Sequence, residues 1–249
     1  MTAMITSTGF SAWYGDHQAL QNISLTVGER EIFGIIGPAG SGKTTFLRSL
    51  NRMNDLLPDF STEGELSMRG VNLYDERLNV AVLRRKMGMV FAVPTPLPGS
   101  ILHNLQLGPR LHARKTNLDD LVEKSLRAAF LWDEIKDRLD MQAMNLSGGQ
   151  QQRLCLARTL MLQPDVLLLD EPCSGLDPIS TSKIEEALVD LKREITVVLV
   201  TNTVMQSSRI ADRTACLLQG RLVECKPTKQ LFVSPSEKET YDYISGRFG

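Results

Sequence analysis

Residues 37–45 read GPAGSGKTT, and this stretch decides the fold. It matches the pattern G-x-x-x-x-G-K-[S/T], in which glycines let the backbone turn tightly and aim its N–H groups at phosphate oxygens. The apolar run EIFGIIG at residues 31–37 comes before it and predicts a buried strand. A helical pattern follows at residues 44–53, whose N-terminus favours an anion. The order of strand, loop and helix predicts a phosphate-binding site at the end of the strand.

Two side chains of this loop have predicted roles of their own. Lys43 is placed to reach the β- and γ-phosphates of a nucleotide, and the Thr44 hydroxyl is placed to ligate Mg²⁺. A glycine-rich turn without a ligand is the alternative, and the flanking strand and helix argue against it. The predicted nucleotide contacts here are Gly37, Pro38, Ala39, Gly40, Ser41, Gly42, Lys43, Thr44 and Thr45.

A second apolar strand ends in two acidic residues. Residues 165–172 read DVLLLDEP, and the unbroken apolar run is typical of a parallel strand that is covered on both faces. Asp170 can hold Mg²⁺ through water, and Glu171 can act as the general base on an attacking water. The alternative is that the acidic pair caps a helix. The phosphate loop upstream makes this the weaker interpretation.

The segment LSGGQQQR at residues 146–153 is a second element suited to an anion. Ser147, Gly148, Gly149 and Gln150 lie at the predicted start of a helix, so N–H groups and the helix dipole point at one spot. Two such elements in one chain indicate that each serves a different nucleotide. This is possible if two copies pair head to tail, with ATP between the loop of one and the LSGGQ segment of the other.

Strands alternate with helices along the rest of the chain, which predicts an α/β protein with a mostly parallel sheet. The other predicted elements are antiparallel strands within 59–75, an amphipathic helix over about 117–139, a helix at 181–194, a strand at 195–200, and a hairpin over 214–225 that turns at Gln219-Gly220.

Bulk properties exclude several classes of protein. The 249 residues are 42% hydrophobic and 23% charged with a net charge of −1, which argues against a nucleic-acid binder. No apolar run is long enough for a membrane-spanning helix, and the N-terminus MTAMITSTGF lacks the features of a signal peptide. We therefore expect a cytosolic protein that reaches a membrane only by docking on an embedded partner. The four cysteines lack metal-ligand spacing and are expected to be reduced.

The motifs together resemble a known family. The loop at 37–44, LSGGQ, LLLDEP and SGLD at 174–177 occur in the order found in the ATP-binding cassette of ABC transporters. The likeness covers essentially the whole chain. Finer strings resemble the phosphate-import ATP-binding subunits, the PstB family: NRMNDL at 51–56, LWDEIKDRL at 131–139, LDPISTSKIEE at 176–186 and YDYISGRFG at 241–249.

This resemblance implies an architecture for residues 1–249 as a single ABC ATP-binding domain. It implies an α/β P-loop NTPase core of RecA-like type with a parallel sheet and an antiparallel β subdomain, at residues 1–92 and 159–249. An inserted α-helical subdomain at 93–158 carries the LSGGQ signature. Tyr14 matches the aromatic residue that stacks on adenine, although a strand aromatic in a small core remains the alternative. Asp177 matches the aspartate that contacts the partner subunit across the dimer.

The resemblance also implies a function and partners. The chain is expected to be an ATPase subunit of an importer, using ATP and Mg²⁺ and forming a head-to-tail homodimer. Its expected partners are two transmembrane permease subunits and, indirectly, a solute-binding protein, which places it peripherally at the cytoplasmic face of the inner membrane. A non-transport ABC ATPase that acts on DNA or ribosomes is disfavoured, because this single short chain has neither a tandem cassette nor a long coiled coil.

Two positions depart from the family pattern. Ala92 stands where a glutamine that touches Mg²⁺ and the attacking water is expected, and Asn202 stands where a histidine is expected. The amide of Asn202 can donate to a γ-phosphate oxygen but cannot carry a charge. The predicted catalytic set is therefore Glu171, Lys43 and Asn202. The two replacements either slow hydrolysis or leave a working enzyme in which water takes up the altered spacing. An ATP-switched regulatory or binding module with little turnover is the alternative function.

Overall fold

The fold is described from a computed structural model, which describes residues 2–111 and 117–247. The described strands are β1 (Ala3–Tyr14), β2 (His17–Gly28), β3 (Ile32–Ile36), β4 (Phe60–Met68), β5 (Val71–Asn72), β6 (Met87–Val90), β7 (Val166–Asp170), β8 (Thr196–Val200), β9 (Arg213–Leu218) and β10 (Arg221–Pro227). The described helices are α1 (Lys43–Leu50), α2 (Val80–Lys86), α3 (Ile101–Leu111), α4 (Leu118–Ala128), α5 (Trp132–Ile135), α6 (Gly148–Leu160), α7 (Pro178–Leu191), α8 (Val204–Ile210), α9 (Thr228–Val233) and α10 (Lys238–Ile244).

The central sheet has the strand order β10-β9-β3-β8-β7-β6. All neighbours pair in parallel except β9 and β10, which form the hairpin predicted around Gln219-Gly220. Because β3, β8, β7 and β6 are parallel neighbours, their carboxyl ends lie along one edge of the sheet. The loops that follow these ends are where ligands bind in open α/β sheets.

A second sheet is antiparallel, with the order β2-β1-β4-β5. It contains the strands predicted within residues 59–75, which form β4 and β5. It also contains the long pair β1 and β2, which the sequence analysis did not predict. These two strands turn at Gly15, whose φ of 55° suits a residue without a Cβ. The turn places Tyr14 at the end of β1.

The central sheet is covered on both faces. Alternate residues of β7 divide between two apolar clusters, because successive side chains of a strand point to opposite faces. Leu167 and Leu169 pack in a cluster with residues of α3, α4, α6 and α7. Val166 and Leu168 pack in another with residues of β1, β2 and α1. This explains why the run VLLLD is apolar throughout.

The described chain between β6 and β7 contains α3 to α6 and two short 3₁₀ helices at Lys136–Arg138 and Ala143–Asn145, after a non-helical stretch at residues 91–100. Residues 112–116 of this stretch lie outside the described residues, as do Met1 and residues 248–249 of the string YDYISGRFG. Among the described helices, none is both long and apolar enough to cross a bilayer.

One predicted helix is wrong in its extent. The amphipathic pattern over 117–139 is divided into α4, α5 and a 3₁₀ turn. The helix ends because Phe130 adopts a left-handed conformation, with a φ of 52°, and the N–H of Leu131 bonds back to the Leu126 carbonyl at 2.9 Å. This change of direction buries the Leu126 and Leu131 side chains completely, and packing therefore overrides the helical pattern.

Candidate nucleotide-binding site

The phosphate loop joins β3 to α1 and depends on glycine at two positions. Gly37 has a φ of 152° and Gly42 a φ of 92°. A Cβ on Gly37 would lie 2.0 Å from the Leu217 carbonyl oxygen, and one on Gly42 would lie 2.8 Å from the Ala19 carbonyl oxygen. The loop therefore packs against neighbouring backbone too closely for any side chain at these positions.

Lys43 is held inside the loop. Its ammonium donates to the carbonyl oxygens of Gly37 and Pro38, each at 2.8 Å, and the residue is only 4% exposed. Burial lowers the pKa of Lys43, and the nearby carboxylates of Glu171 and Asp170 act in the opposite direction. The ammonium thus lies where phosphate oxygens bound in the loop can replace the two carbonyls as acceptors.

The predicted metal ligands are in contact with each other. The Thr44 hydroxyl donates to Asp170 Oδ1 at 2.9 Å, and Asp170 is 6% exposed at the end of β7. Hydroxyl and carboxylate oxygens are the donors that Mg²⁺ prefers. Within the described residues, the buried Ser41 hydroxyl has no hydrogen-bond partner. These residues fit a magnesium–phosphate group, which would offer Ser41 the acceptors that it lacks.

Glu171 adopts a left-handed conformation, with a φ of 49°, directly after β7. Its N–H donates to the Val200 carbonyl at 2.8 Å, at the end of β8. The amide of Asn202, two residues beyond, donates to Glu171 Oε1. Sequence reasoning paired Asn202 with a phosphate and missed this contact. A left-handed residue persists only where its surroundings hold it, and here the Val200 carbonyl holds the backbone of Glu171. The Asn202 amide holds the carboxylate, so the side chain is positioned as well.

Most of these groups line one cleft of about 590 Å³, whereas Asp170 contacts Thr44 without lining the cleft itself. The cleft brings together Tyr14, the loop from Ala39 to Thr45, Glu171 and Asn202, all of which the sequence analysis had selected. Gly37 and Pro38 do not line the cleft, but their carbonyl oxygens accept hydrogen bonds from the Lys43 ammonium. Ala92 does not line the cleft either. The cleft has further lining residues that sequence reasoning missed: His17, Gln18, Ala19, Gln219 and Gly220.

The lining residues that sequence reasoning missed come from the start of β2 and from the turn between β9 and β10. Gly220, in the turn between β9 and β10, donates its N–H to the Ser41 carbonyl at 3.2 Å and accepts from the Gln21 N–H at 2.7 Å. The turn therefore ties the phosphate loop to β2. No local signal in the sequence indicates this role, because the contact joins segments far apart in the chain.

Tyr14 lines the cleft and also packs within the antiparallel sheet. Its hydroxyl hydrogen-bonds to Thr45 Oγ1 at 3.3 Å and to Asn54 Oδ1 at 3.2 Å, which links it to the helix that follows the phosphate loop. Its ring packs against Phe60 with the centroids 5.3 Å apart. The side chain is half-buried and still lines the cleft. The structure thus shows a strand aromatic with packing partners, and stacking of the ring on adenine stays a prediction.

The signature residues lie outside this cleft. Ser147 caps α6 by accepting from the Gln150 N–H at 3.4 Å, and Gln150 Oε1 accepts from the Ser147 N–H at 3.1 Å. Neither residue lines the cleft, and neither do Gly148 and Gly149. The described structure therefore presents the loop and the signature as two separate groups within one chain.

Asp177 belongs with the signature. It caps α7 by accepting from the N–H groups of Ile179 and Ser180, each at 3.0 Å. The hydrogen bond from the Ser180 side chain, with help from the backbone, lowers the pKa of Asp177. A Cβ on Gly149 would lie 2.1 Å from Ser180 Oγ, so α6 and α7 pack closely there. This packing brings Asp177 to the signature.

A charged cluster ties the signature helix to its surroundings. Glu134 of α5 contacts Arg153 at 2.7 Å, Lys183 of α7 at 2.6 Å, and the Gln150 amide at 2.9 Å. Burial alone would raise the pKa of Glu134, but the hydrogen bonds from these three residues lower it to about 2. Arg153 is only 3% exposed, so the carboxylate neutralises a buried cation. Sequence reasoning had not selected Glu134.

Solved structures match the fold. The cbiO1 protein of Clostridium perfringens, part of the ABC transporter complex cbiONQ, matches with a TM-score of 0.83 and 24% identity, over 94% of this chain and 92% of that one. A bacterial Atm1-family ABC exporter with ATP bound matches with a TM-score of 0.82 and 24% identity, over 100% of this chain and 42% of the exporter. These likenesses confirm the predicted fold of a P-loop core with a parallel sheet, an antiparallel sheet and helices.

Sequence comparisons identify the family. A family model described as ABC transporter matches residues 20–174, which is more than half of the chain. The Phosphate import ATP-binding protein PstB 2 of Shouchella clausii is 51% identical over 248 residues, covering 99% of this chain and 92% of the relative. The protein of the same name in Bacillus licheniformis is 52% identical over 239 residues, covering 95% and 87%. The chain is therefore an ABC-type ATPase and belongs to the PstB family.

Proposed function

We propose that this protein is the ATP-hydrolysing subunit of an importer for inorganic phosphate. The observation that carries the proposal is the arrangement of Lys43, Thr44, Asp170 and Glu171 at one edge of the central sheet. This edge has a cation for phosphates, oxygen ligands for a metal and a carboxylate for an attacking water. The transported solute is taken from the two relatives, which are named for phosphate import.

The residues divide the reaction among them. Lys43 and the loop backbone bind and orient the phosphates, and Tyr14 offers its ring to the adenine. Thr44 and Asp170 would hold Mg²⁺, which would supply positive charge to the phosphate oxygens as negative charge develops on them. Glu171 accepts the proton of the attacking water. Asn202 holds the Glu171 carboxylate by the hydrogen bond described above.

We infer that the complete site needs a second copy of the chain. The cleft of each chain is lined neither by the signature residues of that chain nor by its Asp177. The signature residues are Ser147, Gly148, Gly149 and Gln150. A head-to-tail pair would place the signature of one copy over the nucleotide in the loop of the other. In this arrangement residues 93–158 act as the helical subdomain, and residues 1–92 and 159–249 as the core.

The proposed partners follow from this assignment. Two transmembrane permease subunits would receive the homodimer at the cytoplasmic face of the membrane, with a solute-binding protein on the other side. An ATP-switched regulatory module with little turnover is the less favoured function. Both relatives are named as import proteins, and this chain matches each of them over most of its length.

Transport by reconstituted complexes tests the proposal. We expect vesicles that contain the protein, its permease subunits and the solute-binding protein to take up labelled phosphate when ATP is supplied to the cassette side. Glu171→Gln should abolish uptake, and excess unlabelled sulfate should leave it unchanged. ATP hydrolysis that does not respond to the permease subunits, without phosphate uptake, would contradict the proposal and favour the regulatory module.

The replaced positions lead to a prediction of their own. We expect Ala92→Gln combined with Asn202→His to raise the rate of ATP hydrolysis by about tenfold or more, because each polar contact to developing charge is worth about 10²–10³ in rate. Glutamine would add a ligand for Mg²⁺ and a partner for the attacking water, and histidine would add a donor beside the γ-phosphate. The two changes act on one transition state, so their combined effect should exceed the product of the single effects.

The measurement is steady-state phosphate release by the wild type, both single variants and the double variant at one protein concentration. KM for ATP should change little, since Lys43, Tyr14 and the loop backbone supply the ground-state binding. A double variant no faster than the wild type would mean that neither position limits turnover.

A further inference from the structure

Gln152 connects the signature helix to two strands of the catalytic edge. It lies in the first half of α6 and is 2% exposed. Its amide nitrogen donates to the Phe91 carbonyl at 2.8 Å and to the Pro172 carbonyl at 3.0 Å. Phe91 directly follows β6, and Pro172 directly follows Glu171. One buried amide thus holds together the ends of two neighbouring strands and the helix that begins at the signature.

The contact at Pro172 completes a set of backbone bonds around Glu171. On one side the Glu171 N–H is held by the Val200 carbonyl at 2.8 Å. On the other side the Glu171 carbonyl accepts from the Ser174 N–H at 3.1 Å. The Gln152 side chain holds the carbonyl of Pro172, the residue after Glu171. A shift of α6 would therefore move the backbone that keeps Glu171 in its left-handed conformation.

The choice of glutamine at this position is not explained by packing. Among the described residues, the buried Oε1 of Gln152 has no hydrogen-bond partner. A buried acceptor without a partner costs free energy, and an apolar side chain of the same length would avoid this cost. The end of β6 is held through the Phe91 carbonyl. What the amide contributes at this position is therefore its two donated bonds.

We propose that Gln152 is a positioning residue for ATP hydrolysis, which sets the place of Glu171 according to the position of the signature helix. The inference rests on the proposed role of Glu171 as the general base. It links the two groups that the fold keeps apart, since α6 begins at Gly148, directly after its cap Ser147, and Gln152 lies about one turn further along. When the nucleotide held by a partner copy binds to the signature, any movement of α6 is passed by the Gln152 side chain to Glu171 of the chain that carries this signature.

Gln152→Met tests this inference, because methionine fills the same space without an amide. We expect kcat of the full-length protein to fall by about tenfold or more, with KM for ATP within about twofold of the wild type. If that variant does not fold, Gln152→Asn takes its place, since its shorter amide cannot reach both carbonyls, and a smaller fall in kcat is expected.

Asn104→Leu is the matched control. The Asn104 amide is fully buried in α3 and donates to the carbonyls of Leu97 at 2.9 Å and Ser100 at 3.0 Å, away from the cleft. This variant should lower the melting temperature and leave kcat within about twofold of the wild type, measured well below the melting temperature. It separates the effect of losing any buried amide from the effect of losing the amide that positions Glu171.

The Glu171→Gln background gives a readout that a structural role would not move. If Gln152 acts through Glu171, adding Gln152→Met to Glu171→Gln should not slow single-turnover hydrolysis further. Further slowing by the same factor as in the wild type, or an unchanged kcat in Gln152→Met alone, would overturn the inference. If Glu171→Gln itself leaves the rate unchanged, the assignment of the base in the proposed function is wrong, which is a distinguishable outcome.

Discussion

Glu171→Gln is expected to lower the rate of ATP hydrolysis by about 10²–10⁴-fold, the usual contribution of a general base. Glutamine keeps the shape of the side chain and can still contact Asn202, but it cannot take a proton from water. Lys43 and the loop are untouched, so ATP should bind as in the wild type. The variant should therefore accumulate the ATP-bound, head-to-tail dimer.

The measurements are phosphate release and the size of the protein in Mg-ATP. Glu186→Gln is the control, because Glu186 is an exposed carboxylate on α7 that bonds to Ser182 at 2.9 Å. It should leave both quantities unchanged. Wild-type turnover in Glu171→Gln would exclude Glu171 as the base, and a monomer in Mg-ATP for both proteins would contradict the proposed sandwich for the isolated subunit.

Lys43→Ala is expected to raise the Kd for Mg-ATP by about 10²–10⁴-fold. Hydrogen bonds to charged groups are worth about 1.5–3 kcal/mol each, and the ammonium can donate to two phosphate oxygens. Because burial lowers the pKa of Lys43, the affinity of the wild type should also fall as the pH rises through that lowered value, when the cation loses its proton.

Calorimetry with Mg-ATP measures this loss, with circular dichroism to show that the fold is kept. Lys229→Ala is the matched control, since Lys229 is an exposed lysine of α9 outside the cleft. It should bind ATP as the wild type does. An unchanged affinity in Lys43→Ala would mean that the nucleotide does not bind at this loop.

The sequence by itself determined the parts of the site that are continuous in the chain. The loop at 37–45 is a run of neighbours, and the strand before it and the helix after it follow from local apolar patterns. Asp170 and Glu171 are likewise adjacent and end an apolar strand. Such segments carry their own geometry, because turn glycines, strand periodicity and helix starts depend on residues within a few positions.

Only the tertiary structure decided the contacts between distant segments. The hydrogen bond between Asn202 and Glu171, the turn at Gly220 against Ser41, and the reach of Gln152 to Phe91 and Pro172 each join residues from different elements. They depend on strand order, with β8 between β3 and β7, and on how helices pack on that sheet. No local pattern encodes this order.

The break at Phe130 shows why local patterns also fail where packing opposes them. The sequence favours a continuous helix over 117–139, yet the chain turns so that Leu126 and Leu131 are both buried. Likewise, the sequence led us to expect that the signature serves a different nucleotide, but only the structure shows where the signature lies relative to the cleft of its own chain. Burial of apolar surface in the whole molecule outweighs the modest preferences of single segments, and it sets where each motif lies.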